Sequence, residues 1–193
     1  MEQEKKNKKK KEKPKKSLKR EIFEWVMVFV VAAALAFVVR TFIFEPVRVD
    51  GSSMLNTLED SEFMIATKFD YLMGDPERFD IVICDYPNTD DGMYRVKRVI
   101  GLPGETVQII DGYVYINGEK LDENYGAEVM NDAGRAAEPI TLGDDEYFVL
   151  GDNRNRSDDS RYENVENLKR EKIVGRAWVR IWPLDRICVV RHQ

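Results

Sequence analysis

Residues 25–39 are 15 apolar side chains in unbroken succession, set directly behind a lysine-rich stretch, and this pairing limits the fold more than any average over the chain does. Widened to residues 22–44, the 23-residue segment is interrupted only by Glu24, Arg40 and Thr41. As a helix it would reach roughly 35 Å, enough to cross a hydrocarbon core of ~30 Å. Glu24 and Arg40 then fall near the two interfaces. An apolar centre of this length also suits a cleavable signal, but Phe42, Ile43, Phe44, Glu45 and Pro46 follow it, too bulky for a small-residue cleavage site. The segment is therefore read as a retained anchor, which the mean hydropathy of −0.46 conceals.

Charge sets the expected orientation. Residues 1–20 hold 11 Lys/Arg against 3 Glu, a net +8, whereas the remainder holds 19 against 32, a net −13. A basic arm of that composition cannot pack a core and could by itself bind nucleic acid. The apolar run behind it argues instead for the cytoplasmic flank of a membrane. The expected division is a cytoplasmic tail over 1–20, a single transmembrane anchor over 21–44 and an extracytoplasmic domain over 45–193, with membrane lipid as a partner and nucleic acid excluded.

Several chemistries are excluded by composition. The single histidine, His192, is one residue from the end of the sequence, so a Ser-His-Asp or Cys-His machine would rest on a frayed end. With only Cys84 and Cys188 beside it, no zinc-ligand spacing exists, and no metal or cofactor is expected. Both cysteines lie in apolar runs and are read as buried thiols rather than a disulfide.

After Pro46 the pattern turns to short β-type runs, at 47–49, 63–68, 79–84, 94–100, 106–110, 113–116, 147–150, 174–181 and 187–190. Asp111-Gly112 and Asn117-Gly118 predict hairpins with primed turns. Val165, Leu168 and Ile173 are spaced for one short helix over 165–172. Residues 119–146 lack strong periodicity and read as a loop or small β insertion. The predicted fold class is mainly β behind an N-terminal transmembrane helix.

Three stretches carry candidate chemistry. The first, Gly51-Ser52-Ser53-Met54-Leu55-Asn56-Thr57-Leu58, sets two serines behind a glycine at a strand end, where local capping is the plain alternative. The second, Tyr94-Arg95-Val96-Lys97-Arg98-Val99-Ile100-Gly101-Leu102-Pro103-Gly104, puts Arg98 and Lys97 on opposite strand faces. The third runs from Gly151 to Arg161, where Arg154 and Arg156 occupy positions a calcium loop would need for oxygen ligands. A buried polar network fits it better.

In this order behind one anchor, the three stretches resemble the bacterial type I signal peptidases, whose motifs are Ser-Met-x-Pro-Thr-Leu, Tyr-x-x-Lys-Arg-x-x-Gly-x-Pro-Gly and Gly-Asp-Asn-Arg-x-x-Ser-x-Asp-Ser-Arg. The likeness extends through Gly175-Arg176-Ala177-Trp178-Val179-Arg180-Ile181-Trp182-Pro183 and fails over 119–146. It implies a signal-peptidase-like all-β catalytic domain with Ser53 as nucleophile and Lys97 as general base. Ser157 would orient the lysine amine, and Asp159 with Arg161 would form a supporting ion pair. Asn56 replaces the motif's proline, and Gly51 stands where some members carry a hydroxyl for the oxyanion hole.

The chemistry agrees, because a serine needs a base and, without a usable histidine, a neutral lysine must serve. A free lysine, with a pKa near 10.4, has to be desolvated to do so. The resemblance further implies an endopeptidase, acting as a monomer, that removes signal peptides from secretory preproteins. Its substrate would add as a strand along Val47, Val49, Tyr94 and Val96. A non-enzymatic membrane-tethered β-domain, or a Ser-Lys self-cleaving regulator, would leave one or other of these features unexplained.

Overall fold

The computed structural model describes residues 17–86, 93–126 and 128–192, which excludes most of the basic tail. The chain divides into two compact units, Met1–Val39 and Arg40–Gln193.

Helix α1, Leu18–Phe42, contains the apolar run and has no buried residue. It opens on Ser17, whose carbonyl accepts from the Arg20 and Glu21 N–H groups at 2.8 and 3.1 Å. Glu21 in its first turn and Arg40 in its last match the helix dipole. Apolar on every side and long enough to cross a bilayer, it has the character of a spanning helix rather than of an amphipathic core helix.

The second unit is built from β1 (Phe44–Arg48), β2 (Phe63–Thr67), a short helix α2 (Asp70–Met73), β3 (Ile81–Cys84), β4 (Arg95–Gly101), β5 (Thr106–Ile110), β6 (Tyr113–Ile116), β7 (Glu119–Lys120), β8 (Ile140–Thr141), β9 (Glu146–Leu150), β10 (Leu168–Lys169), β11 (Ile173–Trp182) and β12 (Cys188–Val189). An eight-stranded antiparallel sheet runs β1-β2-β11-β3-β4-β9-β10, with β12 beside β11, and a four-stranded sheet runs β7-β6-β5-β8. Both predicted hairpin turns form. Asp111 and Gly112 have φ of 50° and 78°, and Asn117 and Gly118 have 52° and 83°, the doubly positive pattern of type I′ turns.

The two faces of β4 feed different cores. Val96 packs with Val47, Val49, Met54, Leu58, Met64, Ile81 and Ile83. Val99, on the face of Lys97, packs with Val82, Cys84, Tyr86 and Val149. From Arg98 onward β4 pairs with β9, but among the described residues its first half, Arg95 to Lys97, pairs with β3 alone. That leaves one edge of the strand open where the lysine projects.

Three expectations are corrected. No helix spans 165–172: Leu168 joins β10 opposite Tyr147, Arg170–Lys172 is a 3-10 turn, and Glu166 has a φ of 58°, which ends any helix there. Val165, Leu168 and Ile173 all reach the core, though from irregular backbone. Cys188 is exposed rather than buried, and both cysteines are free thiols. His192 is not frayed: its Nδ1 accepts from Ile81 N–H and its Nε2 meets Ala177 O, each at 2.9 Å. A histidine that bridges two strands is fixed whatever its distance from the end of the sequence.

Candidate active site

Ser53 lies in the turn that leaves β1. Strand pairing persists one step beyond β1, with Val49 N–H bonded to Glu62 O and Ser61 N–H to Val49 O, and Gly51 N–H donates to Asp60 Oδ1 at 2.8 Å. The chain then coils, with Thr57 and Leu58 N–H groups both on Met54 O at 2.8 Å. Met54 and Leu58 share one side of that coil and are each 1% exposed. Burying two such side chains contributes about 1.5 to 3 kcal/mol apiece, which anchors the turn and leaves Ser53 little freedom. Among the described residues the Ser53 N–H has no acceptor.

Lys97 is 3% exposed, and its Nζ lies 3.0 Å from Ser53 Oγ. Burial is the main reason its pKa is held below the ordinary lysine range. Asp158, Asp159 and Cys84 oppose that shift and Arg95 assists it. The Tyr86 ring centroid is 5.8 Å from Nζ, and Tyr86 Oη donates to Asp158 O at 2.7 Å. A buried amine touching a hydroxyl is competent, in its neutral form, to take the hydroxyl's proton.

Arg98, pointing the other way, is fully buried against a fully buried Asp152. Its Nε and Nη2 donate to the two carboxylate oxygens at 2.8 and 2.7 Å. Thr57 Oγ1 donates to the same carboxylate at 2.5 Å, and the next residue, Asn153, donates its N–H to Ser53 O and its Nδ2–H to Ser52 O at 2.9 and 3.0 Å. The loop after β9 therefore grips the nucleophile turn at three points. Gly151 opens that loop where a Cβ would strike Ser157 Oγ and Ser53 O.

The expected ion pair is present: Arg161 Nε and Nη2 lie 2.8 and 3.0 Å from the Asp159 oxygens, and Gly151 N–H donates to Asp159 Oδ2 at 3.1 Å. Both side chains are essentially buried. Ser157 Oγ is buried and has no partner among the described residues, so its hydroxyl does not bond Lys97. Val47, Val49 and Val96 turn their side chains into the core, while Tyr94 is 40% exposed. What Val47, Val49 and Val96 offer outward is backbone.

Asp152, Asn153, Thr57 and Tyr86 were not singled out by sequence reasoning. Asp152 and Asn153 lie within the third motif, and Thr57 within the first, so all three were within reach. Tyr86 had only strand alternation from Cys84 to suggest that it faces the lysine. Residues 119–146 are also tied to the site: Glu123 pairs with Arg154, Asn155 Nδ2 donates to Val129 O, Arg161 Nη1 to Asp132 O and Arg135 N–H to Arg161 O.

Residues 22–182 match the family described as signal peptidase, peptidase S26. The chain is 42% identical to the probable signal peptidase I-2 of Synechocystis sp. over 165 residues, covering 82% of this chain and 72% of that one. It is 37% identical to signal peptidase I of Bacillus licheniformis over 180 residues, covering 88% and 93%, and 39% identical to signal peptidase I P of Bacillus subtilis subsp. natto over 179 residues, covering 89% and 95%.

Proposed function

The chain belongs to the signal peptidase family, peptidase S26, and acts on preproteins as a signal peptidase I; within that activity we propose that Ser53 is the nucleophile and Lys97 its general base. The observation that carries this reading is the 3.0 Å approach of a buried amine to a turn-held hydroxyl.

In the proposed reaction neutral Lys97 takes the Ser53 proton as Oγ bonds to the scissile carbonyl carbon. The carbonyl oxygen becomes an oxyanion, for which the unpaired Ser53 N–H is a donor. The tetrahedral intermediate collapses as the Lys97 ammonium protonates the leaving amine, releasing the mature chain and leaving the signal peptide as an ester on Ser53. Water then attacks that ester with Lys97 again taking the proton. As the second tetrahedral intermediate collapses, the bond to Oγ breaks, the signal peptide leaves as its carboxylic acid, and the Lys97 ammonium returns the proton to Ser53. Asp159 and Arg161 hold Gly151 and the loop gripping Ser53 in place, a structural role with a catalytic consequence.

The preprotein is proposed to lie extended against the outer edge of β1 and the open half-edge of β4, using main-chain bonds alongside Val47, Val49, Tyr94 and Val96. Helix α1 is proposed as a single-pass anchor in lipid with the basic tail in the cytoplasm, so that the domain works as a monomer on the far face. Ser53→Ala and Lys97→Met, each checked for folding by circular dichroism, test the dyad on a purified preprotein. Each should lower turnover by about a thousandfold or more. A folded Ser53→Ala enzyme that keeps half its activity would end the assignment.

A further inference from the structure

The one histidine that sequence reasoning set aside is bound at both ring nitrogens. Ile81 N–H points at Nδ1, so Nδ1 must accept and the ring proton sits on Nε2, directed at Ala177 O. Only the neutral ring in that tautomer satisfies both strands. The charged and titratable groups around it are Asp80, whose Oδ1 lies 3.7 Å from Nδ1, Arg176 and Tyr71, which both engage Asp80, and Arg98. Burial and the two guanidinium groups hold the imidazole pKa below its usual value, with Asp80 opposing. That direction agrees with the neutral ring the two hydrogen bonds require.

The same residue's main chain reaches toward the site. Arg98 Nη1 donates to His192 O and to Phe79 O, both at 2.8 Å, while the rest of the guanidinium grips Asp152. Asp152 accepts from Thr57, inside the turn that carries Ser53. Without His192 O, one of the acceptors that aim the Arg98 fork is lost, and the fork's aim fixes Asp152.

We propose that His192 is a positioning residue for the nucleophile: its neutral ring pins the segment after β12 to β3 and β11, so that its carbonyl aims Arg98 at Asp152 and Asp152 in turn seats the Ser53 turn. No member of the relay lies on the substrate edge of β1, and Arg98, though next to Lys97 in β4, turns its side chain to the opposite face. Loss of the relay should therefore fall on kcat rather than on KM. The inference rests on Ser53 being the nucleophile.

The test uses the full chain in detergent micelles, cleaving a peptide that spans a signal-peptide junction, well below each variant's melting temperature. His192→Ala should lower kcat about tenfold with KM within twofold. His192→Asn, whose amide oxygen can replace Nδ1 as acceptor for Ile81 N–H, should stay within about threefold of wild type. Thr57→Val breaks the relay at its other end, and the double variant with His192→Ala should lose no more than the worse single change, because both act on one linkage. If His192→Ala does not fold, His192→Gln, which keeps only the donor to Ala177, takes its place with the same expectations. A kcat within twofold of wild type, a loss carried by KM, no rescue by Asn, or losses that multiply in the double variant would each overturn the proposal. Ser53→Ala runs in parallel: activity retained there defeats the nucleophile assignment, whereas an inactive Ser53→Ala beside an unaffected His192→Ala defeats only the relay.

Discussion

Lys97 and Arg98, neighbours in β4, carry two buried basic side chains to opposite faces of one strand, and among the described residues only Arg98 has a carboxylate in contact with it. Arg98 is neutralised by Asp152 through two bonds, while Lys97 meets a neutral hydroxyl at 3.0 Å. The strand thus separates a cation kept charged for structure from an amine that burial drives toward neutrality for chemistry.

That contrast makes a pH prediction. As the Lys97 ammonium loses its proton, kcat/KM should rise with pH, with a midpoint below the ordinary lysine value of about 10.4. His192, whose own pKa is held below about 6.5, should not move this limb, so His192→Asn should reproduce it. A midpoint that shifts or disappears in His192→Asn would assign the limb to the wrong residue.

Folding should register the same amine. A base whose pKa is lowered on folding binds its proton more tightly when unfolded, so stability climbs with pH between the folded pKa and about 10.4, and below the folded value the full cost of a buried ammonium stands. Lys97→Met removes that cost. At pH 7 it should melt above wild type, with the gap closing toward pH 10. Calorimetry of both proteins across that range checks it, and a destabilised Lys97→Met at pH 7 would contradict it.

Asp159→Ala strands the buried Arg161 guanidinium and frees Gly151 N–H. Breaking one side of such a pair costs about 3 to 5 kcal/mol, and turnover should fall with stability because the loop holding Ser53 loosens. Denaturant titration beside an activity assay reads both quantities. Unchanged values in both would make the pair dispensable.

Gly151→Ala should impair catalysis more than stability. The added methyl meets Ser157 and the Ser53 carbonyl, and overpacking of this kind costs about 1 to 3 kcal/mol if the structure yields. Because the methyl presses on the Ser53 carbonyl itself, turnover should drop at least about tenfold, since a small misplacement of reacting groups is costly. An enzyme with wild-type turnover would show that the loop shifts instead.

For orientation, protease added to right-side-out membrane vesicles should digest the chain beyond residue 44 and spare residues 1–20, and in inverted vesicles the pattern should reverse. Epitope tags at the two ends would report it by blotting. Protection of the β unit in right-side-out vesicles would reverse the proposed topology.

How far the sequence was legible follows from how local each feature is. Asp111-Gly112 and Asn117-Gly118 dictate their own turns, so β5 and β6 fall where alternation puts them. Lys97 and Arg98 were assigned opposite faces by strand geometry alone. Leu168 was misread as helical because its ladder partner, Tyr147, lies outside any local window. The Arg98–Asp152 pair, 54 residues apart, and the strand-bridging ring of His192 depend likewise on distant chain. The resemblance supplied Ser53 and Lys97, but the grip of Asp152 and Asn153 on the turn, through Thr57 and Ser52, needed three dimensions.

The ties that run from residues 119–146 to Arg154, Asn155 and Arg161 bear on how this architecture can vary in length. Lengthening a flexible loop between two fixed points is cheap, about 0.6 kcal/mol for each doubling. Removing a fixed point instead loosens the segment that seats Ser53. Chain can therefore be gained or trimmed between Glu123, Val129, Asp132 and Arg135 with little penalty, provided the spacing still lets each of those four reach its partner.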